Sequence, residues 1–145
     1  MLGAGTWARA AHLPGFARDP RCELVAIADP TQELADEAAR QFGIPHVYDS
    51  HEALIARDDL DMVDVCTPSS THFALSWAAL EAGKHVLCEK PLASNADEAV
   101  EMEAAAARTG RVLMEAFHWR YHPLAARMLE VIASGELGAV RHVEA

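Results

Sequence analysis

The chain has 145 residues, 12 basic against 22 acidic side chains, a formal net charge of −10 and a hydrophobic share of 51%. That length makes one folded domain with a short extra piece and is too little for two full ones. The acidic balance, with no basic run, disfavours nucleic acid as a partner. No apolar run nears the ~18 residues of a membrane span, and the N-terminus has neither the basic nor the apolar segment of a secretion signal.

In chain order, Met1-Leu2 precede a glycine turn that opens a helix predicted over 6–18. There follow a strand at 22–28, a helix at 31–42, a strand at 46–48 and a helix at 50–57. Next come a strand at 62–66, a helix at 71–82, a strand at 85–88 and a helix at 94–109. A strand at 112–115, a helix at 122–134 and a strand at 140–144 complete the reading. Gly43, Gly83, Gly110 and Gly135 each close a helical stretch ahead of an apolar run. Ser94 with Asp97 resembles a capping box for helix 94–109. The 29 alanines point to a helix-rich, lightly built core. Most strand runs lack strict alternation, as in parallel strands covered on both faces. Alternation at this spacing implies right-handed βαβ units, hence an α/β fold with a doubly wound parallel sheet. A glycine loop of this kind should follow a strand of about five or six residues. Only two residues stand before it, so most of the first, central strand is expected to be missing. Cys22, Cys66 and Cys88, odd in number and widely spaced, read as reduced, mostly buried thiols of a cytoplasmic protein.

Three segments carry chemistry. Gly3-Ala4-Gly5-Thr6-Trp7-Ala8 is G-x-G-x-x-A at a helix start: Gly3 allows the tight turn, Gly5 lets the backbone approach a pyrophosphate, and Ala8 lets the helix pack closely. A plain glycine turn is the simpler alternative. Asp29 ends the 22–28 run, where a carboxylate accepts from an adenosine-ribose diol and repels the 2′-phosphate of NADP, which favours NAD. Followed by Pro30, it also fits a turn or helix cap. Thr67 and Pro68 follow the 62–66 run, at the strand ends where ligands of open α/β sheets bind. Ser70 or Thr71 would cap the next helix, and His72 reads equally as a first-turn surface histidine. Glu89-Lys90-Pro91 follows the 85–88 run. An ammonium there could stabilise a developing alkoxide, or simply pair with Glu89.

The chain resembles the N-terminal part of the Gfo/Idh/MocA oxidoreductases. The resemblance rests on LGAGTWARAAHLPGF at 2–16, VAIADP at 25–30, VDVCTPSSTHFALSWAALEAGKHVLCEKPLA at 63–93 and MEAFHWRYHPLAARMLEVIASGELGAVRHVEA at 114–145. EAFHWRYHP is similar to the glucose–fructose oxidoreductase and dihydrodiol or sugar dehydrogenase branch. The resemblance implies a Rossmann domain at 1–116, then at 117–145 a linker helix and the first strand of a second α/β domain. Gly3, Gly5, Thr6 and Trp7 would hold the cofactor phosphates, and Asp29 the ribose. Thr67, Pro68, His72 and Glu89 would border the nicotinamide, with Lys90 the active-site lysine and Trp119 and Arg120 beside the pocket. The implied reaction is hydride transfer between a nicotinamide cofactor and a sugar, polyol or cyclitol. The second domain would supply the general base and, in the full-length parent, the surface for a homo-oligomer.

Two other readings compete. A zinc hydrolase could be forced from Glu115, His118 and His122, but Pro123 disfavours the helix that would align them and no HExxH is present. The 145 residues alone could also be a non-catalytic dinucleotide-binding module or an inactive remnant.

Overall fold

The computed structural model describes residues 1–144. Five short strands form: β1 (Ala26–Ala28), β2 (His46–Tyr48), β3 (Met62–Val65), β4 (His85–Cys88) and β5 (Leu113–Glu115). β1 pairs with β2, and β4 lies between β3 and β5, all in parallel. Met1-Leu2 close the gap between the two groups. Leu2 bridges Ala28 on one side and Val65 on the other, both parallel. Its amide donates to the Asp64 carbonyl at 2.7 Å, and its carbonyl accepts from Cys66 at 2.8 Å. Two residues thus do the work of the shortened first strand. Counting them as strand one gives the order 3-2-1-4-5-6, the doubly wound arrangement.

The 22–28 run is ordered as strand only from Ala26. Residues 22–25 instead face a groove of about 430 Å³ that continues the line of Met1-Leu2 between them and residues 59–62. The Met1 amino group sits at its head, donating to the Ala26 carbonyl at 2.9 Å.

Strand alternation divides the core in two. Leu2, Ala26, Ala28, Val63, Val65 and Val86 face the side covered by α3 (His51–Ile55), α4 (His72–Glu81) and α5 (Ala96–Thr109). Met1 and Ile27 face the other side, with Ala8, Leu13, Ala35, Ala38 and Ile44. There the cover is the 6–18 helix and α2 (Gln32–Phe42). That cover stops short of β4 and β5: Leu87 and Met114 border an apolar groove of about 540 Å³. The expectation of strands buried on both faces fails at this edge.

The 6–18 helix is continuous, but Ala8–His12 is π-helical between an α-helical start at 6–7 and the regular α-helix Leu13–Arg18, labelled α1. Pro14 gives the reason. It has no N–H to donate and its ring would crowd the carbonyl of Ala10 in an α-turn, and the wider π turn relieves both.

Several local expectations shift. The cap of α5 is Asn95, not Ser94: its side chain accepts from the Glu98 amide at 3.0 Å, while the Glu98 carboxylate accepts from the Ser94 amide at 2.9 Å. The cap is displaced by one residue, because Asn95 is the extended residue at the helix entry, and the return bond from Glu98 reaches the amide before the cap rather than the cap's own. Neither Ser70 nor Thr71 caps α4. The Thr71 hydroxyl turns back to the Pro68 carbonyl and the Thr67 hydroxyl, both at 2.7 Å. Of the cysteines only Cys88 is buried; Cys22 is exposed and Cys66 half-buried, and all three are free.

Beyond Phe117 a 3-10 turn, His118–Tyr121, leads into α6 (Pro123–Ser134). Only Ala125 of that helix is buried, and its apolar face, Leu124, Met128, Leu129 and Ile132, is exposed. The predicted strand at 140–144 does not form over the described residues. No neighbour pairs with it, and a lone strand leaves its amides and carbonyls unmatched; Val143 is 77% exposed. Residue 145, the last of the 117–145 segment, lies outside the described residues. No helix among the described residues is long and apolar enough to cross a membrane.

Candidate functional site

The glycine loop lies at the carboxyl edge of the sheet, where β1, β3 and β4 end. Gly3 is required twice over: its φ is +90°, and a Cβ there would stand 2.4 Å from the Cys66 carbonyl oxygen. A Cβ on Gly5 would meet nothing within 4 Å. Gly3 therefore serves close packing on the next loop, and Gly5 keeps the approach to the helix open. First-turn amides of a helix have no intrahelical acceptor, so those of the 6–18 helix point into that opening. Asp29 joins this end directly. Its Oδ2 accepts from the Ala4 amide at 2.8 Å, and its Oδ1 from the Thr31 amide at 2.8 Å. The carboxylate is at once the fastener of the glycine loop and a turn cap before α2. The open space over Gly5 beside the first-turn amides suits an anionic group such as a pyrophosphate.

The second end is a pocket of about 390 Å³ between the loops after β3 and β4. Trp7, Cys66, Thr67, Ser69, His72, Glu89, Lys90, Pro91 and His118 line it. It brings together Trp7, Thr67, His72, Glu89 and Lys90 from far apart in the sequence. Pro68 stands in the same loop as Thr67 and is exposed, as is Thr6 in the glycine loop. His72 is not a surface histidine. It is 1% exposed and ties the two loops, with Nδ1 2.7 Å from the Pro91 carbonyl oxygen and Nε2 2.9 Å from that of Thr67.

Glu89 and Lys90 do not pair. The Glu89 carboxylate accepts from the Trp7 indole at 2.8 Å and from the Lys90 backbone amide at 2.9 Å, and it meets His12 Nε2 at 3.0 Å. The Lys90 ammonium is exposed and has no partner among the described residues. Burial works against the charged Glu89, but its bonds from His12, Trp7 and Lys90 outweigh this and hold it below the usual carboxylate range. His12 also meets Asp64 Oδ2 at 2.8 Å. Burial opposes a charged imidazole, and the two carboxylates outweigh it, raising His12 from 6.5 to about 9. Burial, aided by Asp64 and Glu89, pushes the Cys66 thiol up to about 12, so it is no nucleophile.

Trp119 and Arg120 are exposed in the 3-10 turn and line none of these cavities; Trp119 is 46% exposed. Their neighbour His118 takes the pocket position instead, its ring centroid 5.8 Å from that of Trp7. The aromatic turn was visible in the sequence, but not which of its side chains turns inward. His12 also went unread; its only signal was a histidine on the buried side of the helix that opens at the glycine loop. Glu115 and His122, weighed above as metal ligands, are used elsewhere. Glu115 accepts from the Leu92 amide at 2.9 Å, and His122 caps α6 through the Leu124 amide at 3.1 Å. No group of three or more side chains able to hold a metal ion occurs among the described residues.

A parallel sheet in this order, with a glycine loop and an acid joined at its carboxyl edge, defines a Rossmann domain of the dinucleotide-binding kind. The chain belongs to the Gfo/Idh/MocA oxidoreductase family, whose NAD-binding Rossmann fold matches residues 1–117. It is similar to D-xylose 1-dehydrogenase (NADP(+)) 2 of Haloferax volcanii, 46% identical over 118 residues, which cover 81% of this chain and 36% of that one. D-glucoside 3-dehydrogenase of Escherichia coli is 34% identical over 140 residues, 97% of this chain and 40% of that one. Among solved structures, KijD10, a 3-ketoreductase from Actinomadura kijaniata in complex with NADP, superposes with a TM-score of 0.89 at 34% identity. It covers 97% of this chain, which corresponds to 44% of KijD10. The chain thus spans about two fifths of the length of such relatives.

Proposed function

We propose that this chain forms the dinucleotide-binding part of an NAD(P)-dependent oxidoreductase acting on a sugar, polyol or cyclitol. The observation that carries the reading is the joined edge: the Asp29 carboxylate bound to the glycine loop at 2.8 Å, with a free lysine ammonium in the adjoining pocket. Nicotinamide, when bound, supplies the site that gains or loses hydride. The chain's own residues do the rest. The open amides after Gly5 receive the pyrophosphate, and Asp29 receives the ribose. Lys90 donates to the substrate oxygen, stabilising the alkoxide as the carbinol carbon loses hydride, or polarising the carbonyl in the reverse direction. The general base would come from outside these residues. We place the working division at 1–116 and 117–145, with any homo-oligomer a property of the longer, cytoplasmic protein.

Asp29 alone argues for NAD, whereas relatives named for or complexed with NADP argue against that preference. The proposal is therefore for the NAD(P) class. Fluorescence titration of the chain with NADH and NADPH tests it: binding of one or both is expected, and binding of neither leaves the chain an inactive remnant. Asp29→Ala should narrow any preference for NADH, and an unchanged ratio counts against the ribose role. In the longer protein, Lys90→Ala should lower turnover by orders of magnitude with cofactor affinity nearly intact; unchanged turnover removes Lys90 from the mechanism.

A further inference from the structure

His12 has no part in the chemistry above, yet it is one of the most constrained side chains in the molecule. Its side chain is 8% exposed, and each ring nitrogen meets a carboxylate oxygen, Nδ1 that of Asp64 and Nε2 that of Glu89. Two ionised acceptors are both satisfied only when both nitrogens carry hydrogen. The acceptors come from different places. Asp64 is in β3, 3% exposed, and its other oxygen is buried without a partner, so His12 offsets its charge. Glu89 opens the turn after β4, and the same carboxylate fixes the Trp7 indole and the Lys90 amide. One end of the bridge is the interior of the sheet; the other is the turn that presents Lys90.

We propose that His12 is a positioning residue for the cofactor edge: its Nε2–H anchors the Glu89 carboxylate to the 6–18 helix, and so holds Trp7 and the Lys90 turn in the arrangement the dinucleotide meets, while its Nδ1–H offsets the charge of Asp64. The cofactor half of this statement rests on the function proposed above; the anchoring half does not.

Two substitutions separate the arms of the bridge. In His12→Asn the side-chain amide stands near the Nδ1 position and keeps the Asp64 arm. In His12→Gln it reaches the Nε2 position and keeps the Glu89 arm. A ring that only filled space would be missed equally in both. Other titratable groups face the bridge. From the sheet, burial lowers the Met1 amine to about 6 and raises the Cys66 and Cys88 thiols to about 12 and about 11. Across the groove stand His118 and Tyr121 of the 3-10 turn, and Asp19 and Cys22 beyond α1.

The test uses the whole chain as wild type, His12→Asn and His12→Gln, from about pH 7 to about pH 10. Nitrogen–proton NMR follows the Trp7 indole and Lys90 amide, and fluorescence follows NADH and NADPH binding. Both resonances should move in wild type as pH passes about 9. They should stay near their wild-type positions at all pH values in His12→Gln, and be displaced throughout in His12→Asn. Dinucleotide affinity should fall about tenfold in His12→Asn and stay within about threefold of wild type in His12→Gln. Equal behaviour of the two variants overturns the proposal, as does a pH response that persists in His12→Gln. Should both variants fail to fold, the wild-type titration decides alone: Trp7 and Lys90 resonances indifferent to pH sink the anchor. Binding of neither dinucleotide by wild type would overturn the function proposed above, while the resonances still judge the anchor.

Discussion

The first 117 residues and the rest of the chain are built by different rules. Up to Phe117, polar groups close on partners far away in sequence: Ala4 on Asp29, His12 on Asp64 and Glu89, His72 on Pro91. Beyond it, order is local. α6 begins with Pro123 at its first turn, is capped by His122 and ends at Gly135 with a left-handed φ of 79°, yet it packs almost nothing. Local signals thus set where α6 begins and ends, while a unique arrangement of loops needs buried partners.

Gly3→Ala attacks the first region hardest. The positive φ and the 2.4 Å approach to Cys66 add, and a loss of about 3 kcal/mol or more is expected in urea unfolding. Leu2→Ala, at a fully buried position between two strands, should cost about 3 kcal/mol in the same assay. A loss below about 1 kcal/mol would mean that the two-residue strand is not integral to the sheet.

The pH dependence of stability is the next largest effect. His12 has a folded value of about 9 against 6.5, so its support is complete below 6.5 and is lost as pH rises through about 9. The Met1 amine, about 6 folded against 8.0, acts in the opposite sense, and stability rises with pH across that interval. The two nearly offset between 6.5 and 8.0, and the decline emerges above that. Acetylating the amine should uncover a fall of about 1–2 kcal/mol from the lower value onward, measured as midpoint against pH. A flat curve after acetylation would mean that His12 is uncharged.

Caps sharpen the contrast. Asn95→Ala, on a helix packed in the core, should cost about 1 kcal/mol globally, whereas His122→Ala should speed amide exchange in α6 and leave the unfolding midpoint unchanged. Smallest of all, Leu129→Lys should stay within about 0.5 kcal/mol, because that side chain is 67% exposed.

Much of the fold was legible. The strands at 46–48 and 85–88 stand where apolar runs between glycine stops put them, and the glycine loop and Asp29 meet as their spacing implied. What could not be read depended on distant neighbours. The 22–28 run lacks a partner beside residues 22–25, and 140–144 lacks one altogether. His12 lies 52 residues from Asp64 and 77 from Glu89, and no local pattern announces such a meeting. The same holds for His72, which looks like an ordinary first-turn histidine until the Pro91 carbonyl closes on it.

The groove ahead of Met1 bears on how the protein is handled. A tag joined to the amino terminus starts in line with the sheet, between residues 22–26 and 59–64, rather than in solvent. Short β-branched spacers would thread that slot as extra strand, while a run of histidines or charges would wedge it apart. A purification handle sits better beyond residues 136–144, which are exposed.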